Sequence, residues 1–398
     1  MATYLVFSDD WGRHPSSCQH LTQFLLREEN RLLWVNTIGT RPPRLDWITL
    51  KRGGEKLFSW FVRPKRQTNT ALLTDDSPRP EVFHPLMWPW FRHNHDRWLN
   101  RILLRRALKK ILRNAEKPII GITTLPIVAD VMRTVPQVDR WVYYCVDDWS
   151  LWPGMDSKPL EQMEAELVAQ ANTIITAGKA LQRRILQRMG RKSTLITHGV
   201  DLNFWRNEKR LPPDFVPETY PSDATHPIYM FWGLIDERMD LDMIRQLSND
   251  ISRDAENIQD CGTIAMIGPV ASPAVKEELL SIPYVEYWGL FPYAQLPQLA
   301  ELADVLMMPY YDMKVTRQMQ PLKLTEYLAT GKPAVVRELP ATEAWQDALD
   351  VVSTVEDFSR LVRLRAKTGL PETQRLARQR LEEETWEAKA ILFEKTIQ

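Results

Sequence analysis

The sequence predicts an α/β protein made of two Rossmann-like domains, each a parallel sheet with helices on both faces. Three observations carry this. Short apolar runs without polar alternation recur along the 398 residues, as strands buried on both faces require. Helix-period segments separate them, the crossovers that parallel strands need. The alternation stops once, at residues 207–227, a stretch holding five prolines and many charges, and then resumes.

The elements follow in order. Thr3–Ser8 (TYLVFS) reads as a first buried strand. Ser16 or Ser17 can cap a helix in which Leu21, Phe24 and Leu25 share a face. Arg31–Ile38, Pro118–Thr124, Arg140–Val146 and Thr173–Ala177 read as further strands. Leu160–Ala171 and Lys179–Met189 read as helices between them. After the break, strands are predicted at Ile228–Ile235, Thr263–Ile267, Val285–Trp288, Val305–Pro309, Ala334–Val336 and Val351–Thr354. Glu372–Thr396, rich in Leu, Ala, Glu and Arg, reads as one long charged helix. The expected division is a first domain at 1–206, a linker at 207–227, a second domain at 228–371, and a C-terminal helix at 372–398 crossing back to the first domain. Function belongs in the loops beyond the carboxyl ends of the strands.

Composition narrows the function classes. The 51 basic and 51 acidic residues cancel, which argues against nucleic acid as a partner. Cys18, Cys145 and Cys261 lack metal-ligand or disulfide-framework spacing. The opening MATYLVFSDDW has neither a basic nor a long apolar segment, so no signal peptide is expected and a cytoplasmic location is. No strand leads into GxGxxG, which argues against a nicotinamide dehydrogenase, and no GxxxxGK[ST] occurs, which excludes a P-loop NTPase.

The most informative segment is Pro321–Pro333, PLKLTEYLATGKP. Pro321 suits a helix start and Gly331 its end. Lys323 falls in the first turn, where the helix dipole disfavours a cation, unless an outside anion occupies the site. Glu326, one turn on, can accept bonds from two ribose hydroxyls; a plain surface ion pair between Lys323 and Glu326 is the alternative.

This stretch resembles the donor-binding segment of the group-one, retaining-family glycosyltransferases of GT-B fold, two Rossmann-like domains facing a central cleft. Glu326, Gly331 and Pro333 match that pattern, with Leu324 and Thr325 inside it. The family's second glutamate, eight positions earlier, is replaced here by Gln318, next to Arg317. The Lys-Leu pair also resembles bacterial exopolysaccharide glucuronosyltransferases, in which a lysine at the place of Lys323 neutralises the donor diphosphate. THGVD at Thr197–Asp201 followed by Phe204, YMFWGLIDER at Tyr229–Arg238, IGP at Ile267–Pro269 and GLFPY at Gly289–Tyr293 match the family in order. The resemblance implies Gly233, Arg238, Lys323, Leu324, Thr325 and Glu326 as donor-binding residues, and Tyr293 in a loop covering the base. Met239-Asp240 stands where the family often has Lys-Gly.

In the first half, WVYYCVDDW at Trp141–Trp149 runs a strand into Asp147 and Asp148. One carboxylate is expected to take the acceptor hydroxyl's proton; capping the loop is the alternative for Asp148. Asp10 and Arg13, with His14, lie in the loop after the first strand; they can bind acceptor or diphosphate, or only turn the chain. His198 can contact sugar or phosphate, or serve structure. Arg317 and Gln318 are further candidate contacts.

The expected function is transfer of a sugar from a nucleoside-diphosphate sugar to a saccharide, lipid-linked or other hydroxyl acceptor in polysaccharide or glycoconjugate synthesis. The alternatives are an epimerase of the same fold and a non-catalytic nucleotide-sugar scaffold. No metal and no cofactor are expected; the nucleotide sugar is a substrate. Pro85–Arg113 joins tryptophans to a basic run and is a candidate for peripheral contact with the inner membrane face, or an ordinary domain helix with a solvated basic side.

Overall fold

The computed structural model describes residues 2–12, 16–26, 30–37, 78–206, 226–254 and 262–398. The chain divides into two units. One comprises Met1–Ala177, Leu181–Ile196 and Ala390–Gln398; the other comprises Gly178–Ala180 and Thr197–Lys389. Residues 207–225 of the expected linker, Arg13, His14 and Cys261 lie outside the described residues.

In the first unit the described strands are β1 (Thr3–Ser8), β2 (Arg31–Asn36), β3 (Glu81–Phe83), β4 (Ile119–Thr123), β5 (Arg140–Cys145), β6 (Thr173–Thr176) and β7 (Thr194–Leu195). They form one parallel sheet in the order β3-β2-β1-β4-β5-β6-β7. Helices α1 (Ser17–Leu25), α2 (Asn94–Ile111), α3 (Ala129–Met132), α4 (Ser157–Gln170) and α5 (Lys179–Met189) connect them. Ser16 caps α1, accepting from the Gln19 N–H. Leu5, Phe7, Leu33, Val35, Tyr143, Leu167 and Leu181 are fully buried in its core, each such side chain adding about 1.5–3 kcal/mol.

The second unit carries α6 (Leu202–Arg206), β8 (Ile228–Trp232), α7 (Leu241–Asp254), β9 (Thr263–Ile267), α8 (Pro273–Leu280), β10 (Val285–Gly289), α9 (Leu296–Leu302) and β11 (Val305–Met308). Then come α10 (Lys314–Gln318), α11 (Leu322–Ala329), β12 (Ala334–Arg337), β13 (Asp350–Val352), α12 (Val355–Thr368) and α13 (Glu372–Ala377); α14 (Trp386–Ile397) begins in this unit and from Ala390 on belongs to the first. The sheet is again parallel, in the order β10-β9-β8-β11-β12-β13. Helix α12 packs on α7, where Asp250 of α7 accepts from Ser359 at 2.6 Å and pairs with Arg363 at 3.4 Å. Among the described residues no helix is long and apolar enough to cross a membrane.

The strand reading is close throughout, with ends shifted by a residue or a few. It misses β3 and β7, which are too short to show a pattern. The long C-terminal helix is a correction. Glu372–Thr396 is not one helix but α13, a 3-10 stretch at Arg378–Glu383, and α14. Two tertiary demands break it. The buried Arg378 guanidinium donates to the carbonyls of Ala348 and Lys332, both at 2.8 Å. The backbone at 384–386 pairs with Val200, through Val200 N–H to Glu384 O at 2.9 Å and Trp386 N–H to Val200 O at 3.2 Å. The backbone pairing cannot be made by a continuous helix, whose Trp386 N–H would be spent on the carbonyl four residues back.

Candidate functional site

In the second unit the strand order reverses between β8 and β11, the place where open parallel sheets bind ligands. The chain leaves β8, β9 and β10 through glycines with positive φ: Gly233 (145°), Gly268 (129°) and Gly289 (100°). Their backbones interlock: the Gly233 N–H donates to Ile267 O and the Gly268 N–H to Gly289 O, both at 2.9 Å. A Cβ on Gly268 would meet Gly233 O at 2.2 Å, and one on Gly233 would meet Lys323 Nζ at 1.9 Å. The glycines make room for backbone and for an ammonium at the strand ends.

Lys323 rises from the first turn of α11, after Pro321 at the N-cap. Its Nζ lies 4.1 Å from the Phe231 ring centre and donates to Tyr310 Oη at 2.7 Å. Burial pushes the ammonium pKa down, with Arg238 adding to it; Tyr310 and Glu326 push the other way. A dianion arriving here would favour the charged form. Arg238 is buried, its Nε bound to both Asp236 oxygens at 2.9 and 3.1 Å, its Nη1 3.6 Å from Met319 Sδ. Its carbonyl accepts from the Tyr311 N–H at 2.8 Å, which ties the β8 loop to the β11 loop.

Glu326 lies one turn beyond Lys323. Its Oε1 accepts from Tyr293 Oη at 2.9 Å and its Oε2 from Trp232 Nε1 at 3.3 Å. Burial raises its pKa; the two hydrogen bonds and Lys323 oppose that. Aromatic rings fix both donors. Tyr293 stacks on Phe204 at 5.0 Å and 3°; Trp232 stacks on Trp205 at 5.5 Å and 10° and meets Tyr327 edge-on at 4.4 Å. Leu324 and Thr325 are buried, and the Thr325 hydroxyl bonds back to Leu322 O at 3.1 Å, so both face the core of the unit.

His198 is buried, 6.5 Å from the Trp386 ring. Burial lowers its pKa to about 4, Lys389 adds to that, and a hydrogen bond to the Gln320 backbone opposes it. It is a neutral imidazole packed beside the start of α11. Gln318 ends α10 with its Oε1 buried and no hydrogen-bond partner among the described residues. Arg317 is exposed and paired with Asp312.

In the first unit β5 delivers Asp147 and Asp148 beyond its carboxyl end. Asp148 is buried and committed. Its Oδ1 caps the next turn, accepting from the Ser150 N–H at 3.2 Å and Oγ at 2.6 Å; its Oδ2 lies 3.3 Å from Arg184 Nε. Arg184 also binds Glu164 through both terminal nitrogens, and Tyr143 Oη donates to Glu164 at 2.7 Å. Asp147 is half-buried. Asp10 is half-buried in the loop after β1, where its carbonyl accepts from Gln19 Nε2 at 3.4 Å. The structure thus gathers Gly233, Arg238, Lys323, Glu326 and Tyr293 at one switch point. Sequence reasoning missed Trp232, Tyr310 and Phe231 there: they sit in or just after fully apolar strands, where nothing marks which residue ends the strand pointing at a ligand.

Set against solved structures, the chain matches sucrose-phosphate synthase of Thermosynechococcus elongatus with a TM-score of 0.69 and 13% identity, over 99% of this chain and 98% of the other. It matches HepE of Anabaena, solved in complex with UDP, at 0.64 and 12%, over 100% and 99%. It matches a trehalose 6-phosphate synthase of Burkholderia multivorans at 0.66 and 13%, over 100% and 98%. The chain has the GT-B fold. In sequence it is 25% identical over 221 residues to a Bacillus subtilis (strain 168) protein provisionally named a teichuronic acid biosynthesis glycosyltransferase, TuaH. That match spans 52% of this chain and about half, 53%, of the curated relative. No family model matches the chain.

Proposed function

We propose that this protein is a glycosyltransferase that moves a sugar from a nucleoside-diphosphate sugar to a hydroxyl acceptor in polysaccharide or glycoconjugate synthesis. The reading rests most on one observation: Lys323 Nζ is held at the β8/β11 switch point, in space only a glycine at 233 leaves open. The bound UDP in the HepE structure supports a uridine diphosphate sugar as the first donor to test.

In this reaction the acceptor oxygen bonds to the anomeric carbon as the bond from that carbon to the diphosphate oxygen breaks. Negative charge grows on the leaving diphosphate, and preorganised cations lower the barrier. Lys323 and Arg238 fill that role, and no metal is required of the mechanism. Of the two carboxylates after β5, the less buried Asp147 is assigned the acceptor proton, while Asp148 caps the next turn and pairs with Arg184. The acceptor is a saccharide or lipid-linked hydroxyl.

Helix α2 supports a peripheral membrane contact. Arg101, Arg105, Arg106, Lys109, Lys110 and Arg113 on and just after it are exposed, and none has a carboxylate partner among the described residues. Trp98 on the same helix is 55% exposed. Its sole acidic residue, Asp96, is buried. Such a surface fits anionic lipid.

The test of transfer is incubation with a panel of nucleoside-diphosphate sugars and a polyprenol-linked saccharide, read by product mass, for wild type and Lys323→Ala. Product from wild type and its loss in the variant is expected. Turnover unchanged in Lys323→Ala would remove the cation from the mechanism, and donor consumption without acceptor would favour the epimerase.

A further inference from the structure

We propose that Trp232 and Tyr293 are positioning residues that set this site's selectivity for ribonucleotides over deoxyribonucleotides, by holding the Glu326 carboxylate with one lone pair free on each oxygen. The inference rests on the donor reading and deepens it.

An ionised carboxylate has two acceptor positions per oxygen. At Glu326 each oxygen spends one on a ring donor: Oε1 on the Tyr293 phenol, Oε2 on the Trp232 indole. Neither donor can swing away. Tyr293 lies flat on Phe204 and edge-on to Trp205 at 5.9 Å. Trp232 lies between Trp205 and Tyr327, and Tyr327 is itself anchored through Oη to Met307 O at 3.0 Å. The carboxylate therefore cannot rotate about its last bond without losing two hydrogen bonds. It presents one unused acceptor on each of its two oxygens. Two vicinal hydroxyls of a ribose match such a pair; a single hydroxyl leaves one acceptor desolvated and unpaired, which is the costly outcome.

All three groups belong to one unit, on the β8 strand end, the turn after β10 and α11. The pattern is not required by packing. Phenylalanine at 293 would keep the stack on Phe204, and both ring donors give their hydrogens to the carboxylate. Unlike Lys323, neither ring carries a charge for the diphosphate, so removing their polar atoms should change sugar discrimination more than phosphate affinity.

The experiment is calorimetric titration with UDP, GDP and ADP, then with the 2′-deoxy form of the tightest binder. It uses wild type, Tyr293→Phe, Trp232→Phe and Glu326→Gln, with melting temperature recorded for each. Wild type is expected to favour the ribonucleotide by about 10-fold or more, the scale of one hydrogen bond to a charged group. Tyr293→Phe and Trp232→Phe are each expected to bring the ratio to within about threefold, and Glu326→Gln to abolish it. Tyr293→Phe deletes one oxygen and keeps the stack on Phe204, so it decides the matter if Trp232→Phe does not fold. A ratio kept by folded Tyr293→Phe overturns the inference. So does a ratio lost in Tyr293→Phe but kept by a folded Trp232→Phe, since the phenol would then touch the ribose by itself. No binding by wild type, or a ratio insensitive to Glu326→Gln, brings down the donor reading beneath it.

Discussion

Gly233→Ala is the most revealing single change, because its effect on the ligand should pass through a side chain ninety residues away. The added Cβ would lie 1.9 Å from Lys323 Nζ, 2.9 Å from its Cε and 3.3 Å from Phe231 Cζ. Ordinary contact begins near 3.4 Å, so the ammonium must retreat by roughly 1.5 Å. That movement breaks its 2.7 Å bond to Tyr310 and takes it off the Phe231 face. Alanine at φ 145° also strains the backbone, worth about 1–3 kcal/mol of stability. For binding, a displaced charge-assisted hydrogen bond costs about 1.5–3 kcal/mol, or about 10- to 150-fold in UDP affinity. The assay is calorimetric UDP titration of Gly233→Ala, Lys323→Met and the double variant. In the Lys323→Met background, the glycine change should weaken binding by less than about threefold, because its target is already gone. A folded Gly233→Ala that binds UDP like wild type, or losses that simply add, would refute the argument.

Three further outcomes are expected. His198 has a folded pKa of about 4 against an ordinary 6.5. The unfolded chain therefore takes the proton first: stability is whole above pH 6.5 and falls as pH drops toward 4, by up to about 3 kcal/mol. His198→Gln should flatten that part of the curve in denaturant titrations across pH, and parallel curves would show the imidazole does not matter. Glu164→Gln leaves the buried Arg184 without its main partner and should cost about 3–5 kcal/mol, whereas Glu164→Leu with Arg184→Met and Asp148→Asn should cost less, since no charge remains stranded; a triple variant as damaged as the single would contradict this. Replacing Arg101, Arg105 and Lys109 by serine should weaken sedimentation with phosphatidylglycerol vesicles by about 100-fold, at about 1 kcal/mol per cation. Undiminished binding, with helicity intact, would free α2 from that role.

Much of this is legible in the sequence. Buried parallel strands are written as apolar runs, so the sequence places β1, β5 and β9 nearly to the residue. The segment at Pro321–Pro333 carries its own punctuation, proline at the start and glycine at the end, and Lys323 and Glu326 fall where expected. The two aspartates after β5 look alike in sequence. Only the tertiary structure shows that Asp148 is the one paired with Arg184, from a helix thirty-odd residues on.

By itself the sequence determined the α/β class, the two sheets, and the helix that carries Lys323 and Glu326, because strand burial, helix period and end signals are local properties of the chain. Tertiary structure alone decided the break in the C-terminal helix, where Arg378 and Val200 claim backbone partners, and the engagement of Asp148. It also decided the aromatic clamp on Glu326 and the fit of Lys323 against Gly233. Each of these is a meeting of residues far apart in the chain, and no local pattern encodes which distant partner will take a given hydrogen bond.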